Sequence, residues 1–221
     1  MSALHAERLA RFDQPGLYVV VTTAFCAGRP ALDILDACLQ AGVKHIQCRE
    51  KNLDDLDYVE LARAFRERTR AAGALLIIDD RVDIALAVEA DGAHLGLADM
   101  PLADARRIAP ELLLGASAHD LGEALAAQDA GASYVNIGPI HATKTKHVPT
   151  GAIGPEALRE ILPHLRVPHT CMGGIKPENI PGLLALGAQR CAVVTAVTAA
   201  PNPAAAAAEM HQAIIRGAET P

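Results

Sequence analysis

The chain alternates between short apolar runs and amphipathic segments rich in alanine and leucine, and this alternation restricts its fold more than any other feature. Near-continuous apolar strands alternating with helices are typical of a parallel sheet buried on both faces. Eight such units in about 200 residues predict a closed (β/α)8 barrel, with an open doubly wound sheet as the structural alternative. The predicted strands are LYVVVT (17–22), KHIQCR (44–49), ALLIID (74–79), GAHLG (92–96), LLLGAS (112–117), SYVNIG (133–138), HTCMG (169–173) and RCAVVT (190–195).

The segments between these runs have helical character, and glycine follows several of them. A glycine directly after a helix accepts the left-handed conformation that ends it. No spacer or break in composition divides the chain, so we expect a single domain over residues 1–221, with the barrel at about 16–216 and an N-terminal arm or helix at 1–15. The predicted helices include 30–41, 54–72, 120–130, 155–162, 177–186 and 203–216.

Composition excludes some classes of partner. The net charge is −6, aromatic residues make up 3% of the chain and tryptophan is absent. Nucleic-acid binding needs a basic surface, and single strands also need aromatic stacking platforms. We therefore expect small-molecule substrates, no nucleic acid and no membrane partner, while a homo-oligomer remains possible.

The five cysteines, at positions 26, 38, 48, 171 and 191, include no C-x-x-C pair. An odd number of scattered thiols fits a reducing compartment better than a disulfide framework. Three of them fall in predicted strands, where free cysteine packs as a small hydrophobe. With no signal-peptide core and no apolar run of transmembrane length, the expected location is cytoplasmic.

The second predicted strand ends on polar side chains, in the stretch QCREK (47–51). Active sites of (β/α)8 barrels lie at the carboxyl ends of the strands. Because side chains alternate along a strand, Gln47, Arg49 and Lys51 share one face, whereas Cys48 and Glu50 take the other. Two cations and an amide at the barrel mouth would suit an anionic ligand that carries a ring; the alternative is a solvated surface run.

Three aspartates follow the third and fourth strands. Asp79 and Asp80 end the third strand, and Asp99 lies in the loop after the fourth. Mg²⁺ typically takes one or two protein carboxylates and completes its octahedron with waters and phosphate oxygens. Neighbouring strands would bring Asp80 and Asp99 together as such a pair. Alternatively, Asp80 caps the next helix in a capping box with Asp83, and Asp99 is a polar loop residue before Pro101.

Further candidate ligands follow strands five and six. Ser117 ends the fifth strand, where it would contact a phosphate or cap the helix that starts near residue 120. The long loop 138–156 lacks Walker A spacing, but such loops often close over a site. Its candidates for surrounding a phosphate are Thr143, Lys144, Thr145 and Lys146.

The last two strands end in MGGIKPEN (172–179) and VVTAV (193–197). In this fold the loops after strands seven and eight form the usual phosphate pocket. Gly173 and Gly174 would let backbone N–H groups approach an oxyanion closely. His94, inside the fourth strand, is predicted to be a packed interior residue. With no G-x-S-x-G elbow and no H-E-x-x-H motif, the site is predicted to bind anions and Mg²⁺ without an obvious covalent nucleophile.

In this order, these motifs resemble the thiamine phosphate synthase (thiamine-phosphate pyrophosphorylase) family over roughly residues 17–215. The matching stretches are QCREK, DDRVDIALAVEADGAHLG with a following AD, GAS, YVNIGPI with TKTK, GGI and AVVTAV. The resemblance implies a (β/α)8 barrel that joins hydroxymethylpyrimidine diphosphate to a thiazole phosphate and releases pyrophosphate. It places the pyrimidine diphosphate on residues 47–51, Asp79, Ser117 and Lys146, Mg²⁺ on Asp80 and Asp99, and the thiazole phosphate on Thr143, Thr145, Gly174, Val194 and Thr195.

The chemistry implied by the resemblance needs electrostatics more than acid–base groups. Pyrophosphate departs first and leaves a resonance-stabilised pyrimidine methylene cation, which the thiazole nitrogen captures with its own lone pair. Such a site must then stabilise the negative charge that develops on the departing pyrophosphate. The predicted catalytic residues are Arg49, Lys51, Ser117 and Lys146. Alternative functions on this scaffold are a thiazole tautomerase-like isomerase and a non-catalytic phosphate-ligand-binding barrel.

The chain departs from the family pattern at several positions. Asp79 stands where the family usually has asparagine, Leu97 replaces a usual glutamine, and Thr195 replaces a usual serine. His141 and Ala142 replace a more aromatic, proline-bearing lead-in to the long loop. The Asp79 carboxylate would repel a diphosphate unless it is protonated, paired with Arg81 or bound to metal.

Overall fold

The computed structural model describes residues 2–143, 145 and 151–219 and contains a closed barrel of eight parallel strands. Strand order around the barrel follows chain order, and β1 pairs with β8 to close it. The (β/α)8 prediction is confirmed, and the open-sheet alternative is wrong. The strands are β1 Gly16–Val21, β2 His45–Cys48, β3 Leu75–Asp79, β4 Gly92–Leu95, β5 Leu113–Ala118, β6 Tyr134–Ile137, β7 His169–Met172 and β8 Arg190–Val193.

Helices surround the sheet, and several begin at side chains that satisfy free backbone N–H groups. Asp54, Asp120 and Asn202 each accept a hydrogen bond from the N–H three residues on, which is the usual N-cap geometry. Residues 3–12, for which an arm or a helix was open, are helical. The helices are α1 Ala3–Phe12, α2 Ala31–Gln40, α3 Asp55–Ala71, α4 Val82–Ala87, α5 Leu102–Ile108, α6 Leu121–Asp129, α7 Ala157–Ile161, α8 Ile180–Ala185, α9 Thr195–Thr198 and α10 Pro203–Ala218.

The core has two layers, which follow from the alternation of side chains along each strand. Outward-facing aliphatic residues pack beneath the helices, and all five free cysteines are buried. The Sγ atoms of Cys171 and Cys191 lie 3.8 Å apart on neighbouring strands, and Cys48 packs in the same layer. The prediction of core packing for these thiols agrees with the structure. Inward-facing residues form a smaller cluster of Phe12, Tyr18, Val20, Leu75, Ile77, Leu113, Tyr134 and Ala192.

Helix α1 closes the amino-terminal end of the barrel. Its Phe12 enters the barrel and stacks on Tyr134, with ring centroids 4.1 Å apart. Arg190 is fully buried beside it and donates to the backbone carbonyls of Asp13 (2.6 Å) and His169 (2.8 Å). With this end blocked, the interior opens at the carboxyl ends of the strands. Among the described residues, no helix combines the length and the apolar character that crossing a membrane requires.

Candidate active site

A cavity of about 530 Å³ runs from the carboxyl end of the barrel into its interior. Two adjoining cavities, of about 320 and 400 Å³, share Thr145 and Met172 with it, so the three lie side by side. The deep cavity is lined by Tyr18, Val20, Gln47, Arg49, Asp79, His94, Ser117, Tyr134, Asn136, Thr145, Thr170, Met172, Ala192 and Val194.

At the end of strand β2, side chains alternate between the cavity and the opposite side of the sheet, as predicted. Gln47 and Arg49 line the cavity. The Cys48 side chain lies on the other side of the sheet, in the layer beneath the helices. Glu50 accepts hydrogen bonds from the N–H and hydroxyl of Thr23, at 2.7 and 2.6 Å, and so holds the loop after β1. Cys48 and Glu50 are thus not brought to the cavity with the other predicted ligands.

Asp79 is buried at the end of β3 and is compensated by two cations. Arg49 Nε lies 3.3 Å and Lys51 Nζ lies 2.9 Å from Asp79 Oδ2. Burial raises the pKa of Asp79 and the charge of Asp80 adds to this, while Lys51 and Arg49 oppose it. Pairing with Arg81, one of the sequence-based possibilities, does not occur: that guanidinium binds Asp55 and Asp83 instead.

The backbone of Asp80 adopts a left-handed conformation, with φ of 59°. This conformation is uncommon for residues other than glycine and is often found at functional sites. Its N–H donates to the carbonyl of His94 at 2.8 Å, and its carboxylate accepts from Lys51. Arg81, and not Asp80, is the N-cap residue of α4, so the capping alternative is wrong.

Asp99 lies beside Asp80, as the strand order predicts. Its Oδ2 accepts from the N–H of Gly96 at 2.7 Å. Burial and a hydrogen bond with Asp80 raise the pKa of Asp99. Burial also opposes ionisation of Asp80, but Lys51 and Asp99 outweigh it and lower the pKa of Asp80. In the described part of the chain, no three His, Cys, Asp or Glu side chains are grouped as a metal site, so Asp80 and Asp99 form a two-carboxylate candidate.

Ser117 faces the cavity from β5, and Asp120 instead caps helix α6, so the capping alternative for Ser117 is wrong. Its Oγ lies 3.0 Å from His94 Nε2. His94 is 7% exposed, which confirms it as a packed interior residue, but it also lines the cavity. Through Nδ1 it contacts the hydroxyl of Tyr134 at 3.2 Å.

The loops after β7 and β8 form the adjoining cavity of about 320 Å³. Gly174 has φ of +60°, and a Cβ there would lie 2.5 Å from the carbonyl oxygen of Ala142. Only glycine fits this close approach of two backbones. The predicted Lys144 and Lys146 lie outside the described residues. The lining consists of Thr143, Thr145, Met172, Gly173, Gly174, Ile175, Ala192, Val193, Val194, Thr195 and Ala196.

Sequence reasoning missed polar side chains in the middle of strands. Tyr18, Tyr134, Asn136 and Thr170 line the interior, and Met172 contacts all three cavities. Their sequence signal is a polar or aromatic residue within an otherwise aliphatic run, as in SYVNIG. The run does not reveal which face points inward, because both faces of the strand are buried.

The comparisons with known proteins agree with this architecture. Residues 17–197 match the family model described as thiamine monophosphate synthase. A thiamine-phosphate synthase of Moorella thermoacetica is 45% identical over 201 residues, covering 90% of this chain and 96% of that protein. One of Chloroflexus aurantiacus is 44% identical over 195 residues, covering 88% and 90%.

A solved structure also matches closely. Thiamine phosphate pyrophosphorylase from Pyrococcus furiosus superposes with a TM-score of 0.87 at 35% identity, covering 94% of this chain and 98% of that chain. A 3-hexulose-6-phosphate synthase structure, at 20% identity and a TM-score of 0.67, shares the fold alone.

Proposed function

The chain belongs to the thiamine monophosphate synthase family, and we propose that it joins hydroxymethylpyrimidine diphosphate to a thiazole phosphate, releasing pyrophosphate. The observation that carries the proposal is a set of adjoining cavities at the carboxyl end of the barrel, in which two separate regions are suited to anions. Arg49 and Lys51 provide one region, and the loops containing Gly174 and Thr195 provide the other. A transferase that joins two phosphorylated substrates needs both regions within reach of one another.

The diphosphate would bind on the side of strands β2 and β3. Arg49 and Lys51 offer donors that stabilise negative charge as it develops on the departing pyrophosphate. Asp79 holds both cations at the mouth, and in turn they compensate its charge. Gln47 and Ser117 would bind the pyrimidine part, deeper in the cavity. Lys146 completes the proposed catalytic set with Arg49, Lys51 and Ser117.

Mg²⁺ is proposed to bind at Asp80 and Asp99. The donor set fits, because two adjacent carboxylates, one with a raised pKa, gain from a cation between them. Waters and diphosphate oxygens would be its remaining ligands. When bound, the ion supplies positive charge that neutralises the leaving pyrophosphate. Lys51 donates to the Asp80 carboxylate and so already places one positive charge beside this pair.

The thiazole phosphate would bind in the cavity after β7 and β8. There the proposed ligands are hydroxyl and backbone groups of Thr143, Thr145, Gly174, Val194 and Thr195. The Thr195 substitution retains both a backbone N–H and a hydroxyl. Because the thiazole nitrogen attacks with its own lone pair, this side needs no covalent nucleophile and no strong base.

The test is a coupled assay with purified protein, both substrates and Mg²⁺. We expect thiamine phosphate and pyrophosphate to form together. Tight binding of the thiazole phosphate with no coupled product would contradict the proposal. In that case, conversion of one thiazole tautomer to another would identify an isomerase, and binding without any conversion would identify a ligand-binding barrel.

The buried free thiols agree with a further proposal, that the protein works in the reducing cytoplasm.

A further inference from the structure

A chain of hydrogen bonds crosses the floor of the deep cavity and ends at Ser117. Gln47 Nε2 donates to the Tyr18 hydroxyl at 3.0 Å, which lies 3.2 Å from the Tyr134 hydroxyl. The Tyr134 hydroxyl contacts His94 Nδ1 at 3.2 Å, and His94 Nε2 contacts Ser117 Oγ at 3.0 Å. Five strands thus contribute one residue each to a continuous polar path.

The direction of donation along these hydrogen bonds depends on which hydroxyl proton can be left without an acceptor. Gln47 donates, so the Tyr18 oxygen accepts. If Tyr134 also donated to Tyr18, the Tyr18 proton would lack a partner among the described residues, although Tyr18 is only 3% exposed. A buried hydroxyl without a partner costs about 1–3 kcal/mol. We therefore infer that the Tyr18 hydroxyl donates to Tyr134, and that the Tyr134 hydroxyl donates to His94 Nδ1.

This order fixes the tautomer of His94. With Nδ1 accepting from Tyr134, the ring proton lies on Nε2 and is donated to Ser117. The Ser117 hydroxyl proton is then the one that has no acceptor among these five residues. Ser117 is half-buried and faces the cavity. This proton is then available to an acceptor group of a substrate in the cavity.

The Tyr134 ring is held from two sides. Phe12 of helix α1 stacks on it from beneath. Above it, the glycine at 115 provides the space through which the hydroxyl reaches His94, because a Cβ there would lie 2.1 Å from Tyr134 Cζ and 2.6 Å from His94 Nδ1. Burial raises the pKa of both Tyr18 and Tyr134, so both remain neutral donors.

We propose that Tyr18, Tyr134 and His94 are positioning residues, which keep the Ser117 hydroxyl a hydrogen-bond donor to the pyrimidine diphosphate. This inference rests on the proposed function. It adds that recognition of one substrate depends on a relay that reaches the closed end of the barrel.

A double-mutant cycle in the coupled assay tests it. Tyr134→Phe removes only the hydroxyl, and we expect kcat/KM for the pyrimidine diphosphate to fall about ten-fold, the loss of roughly one hydrogen bond. The KM for the thiazole phosphate should not change. In a Ser117→Ala background, Tyr134→Phe should have no further effect, because its effect passes through Ser117.

The matched control is Thr69→Val, which removes another buried hydroxyl, bonded within helix α3 to the carbonyl of Phe65 at 2.9 Å. It should lose stability but keep wild-type kinetics. His94→Gln, which retains a side-chain N–H, should be more active than His94→Leu. In ¹⁵N spectra, His94 should carry its proton on Nε2.

Additive losses in the cycle, a fall in activity of Thr69→Val that matches that of Tyr134→Phe, or a proton on Nδ1 of His94 would overturn the inference. These outcomes are distinct from failure of the proposed function, because that failure would show as an inactive wild-type protein. The ¹⁵N measurement needs no activity.

Discussion

At the closed end of the barrel, Arg190 is fully buried and gives its donors to backbone carbonyls and to Asp13, while Phe12 lies over its guanidinium. At the open end, Lys51 and Asp80 form an ion pair whose side chains remain 41% and 25% exposed. The same types of charged residue occur at both ends. At the closed end their partners belong to the protein, whereas at the open end they remain accessible to a ligand. We therefore expect substitutions of these charged residues to change stability at the closed end and turnover at the open end.

The largest expected effect is at the closed end. Arg190→Met would leave the carbonyls of Asp13 and His169 without their donor and would remove the buried guanidinium charge. A buried group left without its hydrogen-bond partner costs about 1–3 kcal/mol, so the two carbonyls together should lower the free energy of unfolding by about 2–6 kcal/mol. Denaturant titration measures it. Arg70→Met, which removes the exposed pair with Glu89, is the matched control and should change stability little. Equal losses in the two variants would contradict the distinction.

Lowering the pH should also destabilise the closed end of the barrel. Burial, with the charge of Arg190 adding to it, lowers the pKa of both His45 and His169 to about 4. Below pH 6.5 the unfolded chain binds protons that the folded chain does not, so stability should fall as the pH drops from 6.5 toward 4. The loss is about 3 kcal/mol for each histidine.

Denaturant titrations at pH 7.5 and at pH 5 should show about 2 kcal/mol of this loss for each histidine, because pH 5 still lies above the folded-state pKa of about 4. The variants His45→Gln and His169→Gln should each reduce the dependence on pH. If a variant with both changes kept the wild-type dependence, these histidines would not be its source.

At the open end, the largest effect is expected for Asp80→Asn. Removing one preorganised electrostatic contact should lower kcat by about 10²-fold, or ~3 kcal/mol, and weaken the response to added Mg²⁺. Stability should remain close to wild type because Asp80 is partly exposed. Asp83→Asn, three residues on and paired with Arg81, serves as the control. Unchanged turnover of Asp80→Asn across a magnesium titration would remove Asp80 from the metal site.

A smaller effect is expected for Gly174→Ala, which tests the opposite side of the mouth. A Cβ at 174 meets the Ala142 carbonyl and forces a left-handed alanine, a strain of roughly 1 kcal/mol or more. The KM for the thiazole phosphate should rise by about ten-fold while the KM for the pyrimidine diphosphate stays unchanged. Gly182→Ala is the control, because the added Cβ would meet no heavy atom of the described residues within 4 Å outside its own stretch of α8. Equal changes in both KM values would contradict separate anion regions.

The smallest effect is expected for Asp79→Asn. It releases Arg49 and Lys51 from a shared carboxylate, so the pyrimidine diphosphate should bind slightly more tightly, with KM lower by about three-fold. The kcat should stay within about two-fold of wild type. Steady-state kinetics with varied pyrimidine diphosphate measure both. A large loss of turnover would show that this chain depends on the second carboxylate.

The sequence was sufficient to predict the barrel, because strand–helix alternation repeats eight times and each predicted strand lies within two residues of an observed one. It also placed Asp80 near Asp99, since adjacent strands end at the same mouth. It could not show that Asp79 pairs with Arg49 and Lys51 in preference to Arg81, because that choice depends on side-chain directions at the ends of two neighbouring strands. The relay through Tyr18 and Tyr134 was equally hidden, because which face of a buried strand lines the barrel depends on closure.

The most direct test of the central claim is the ratio of the two products in one reaction. With both substrates and Mg²⁺ present, the account predicts that pyrophosphate and thiamine phosphate appear one for one, and that omitting the thiazole phosphate abolishes the coupled product. Pyrophosphate release at the same rate with no coupled product, or conversion of the thiazole phosphate alone, would contradict it.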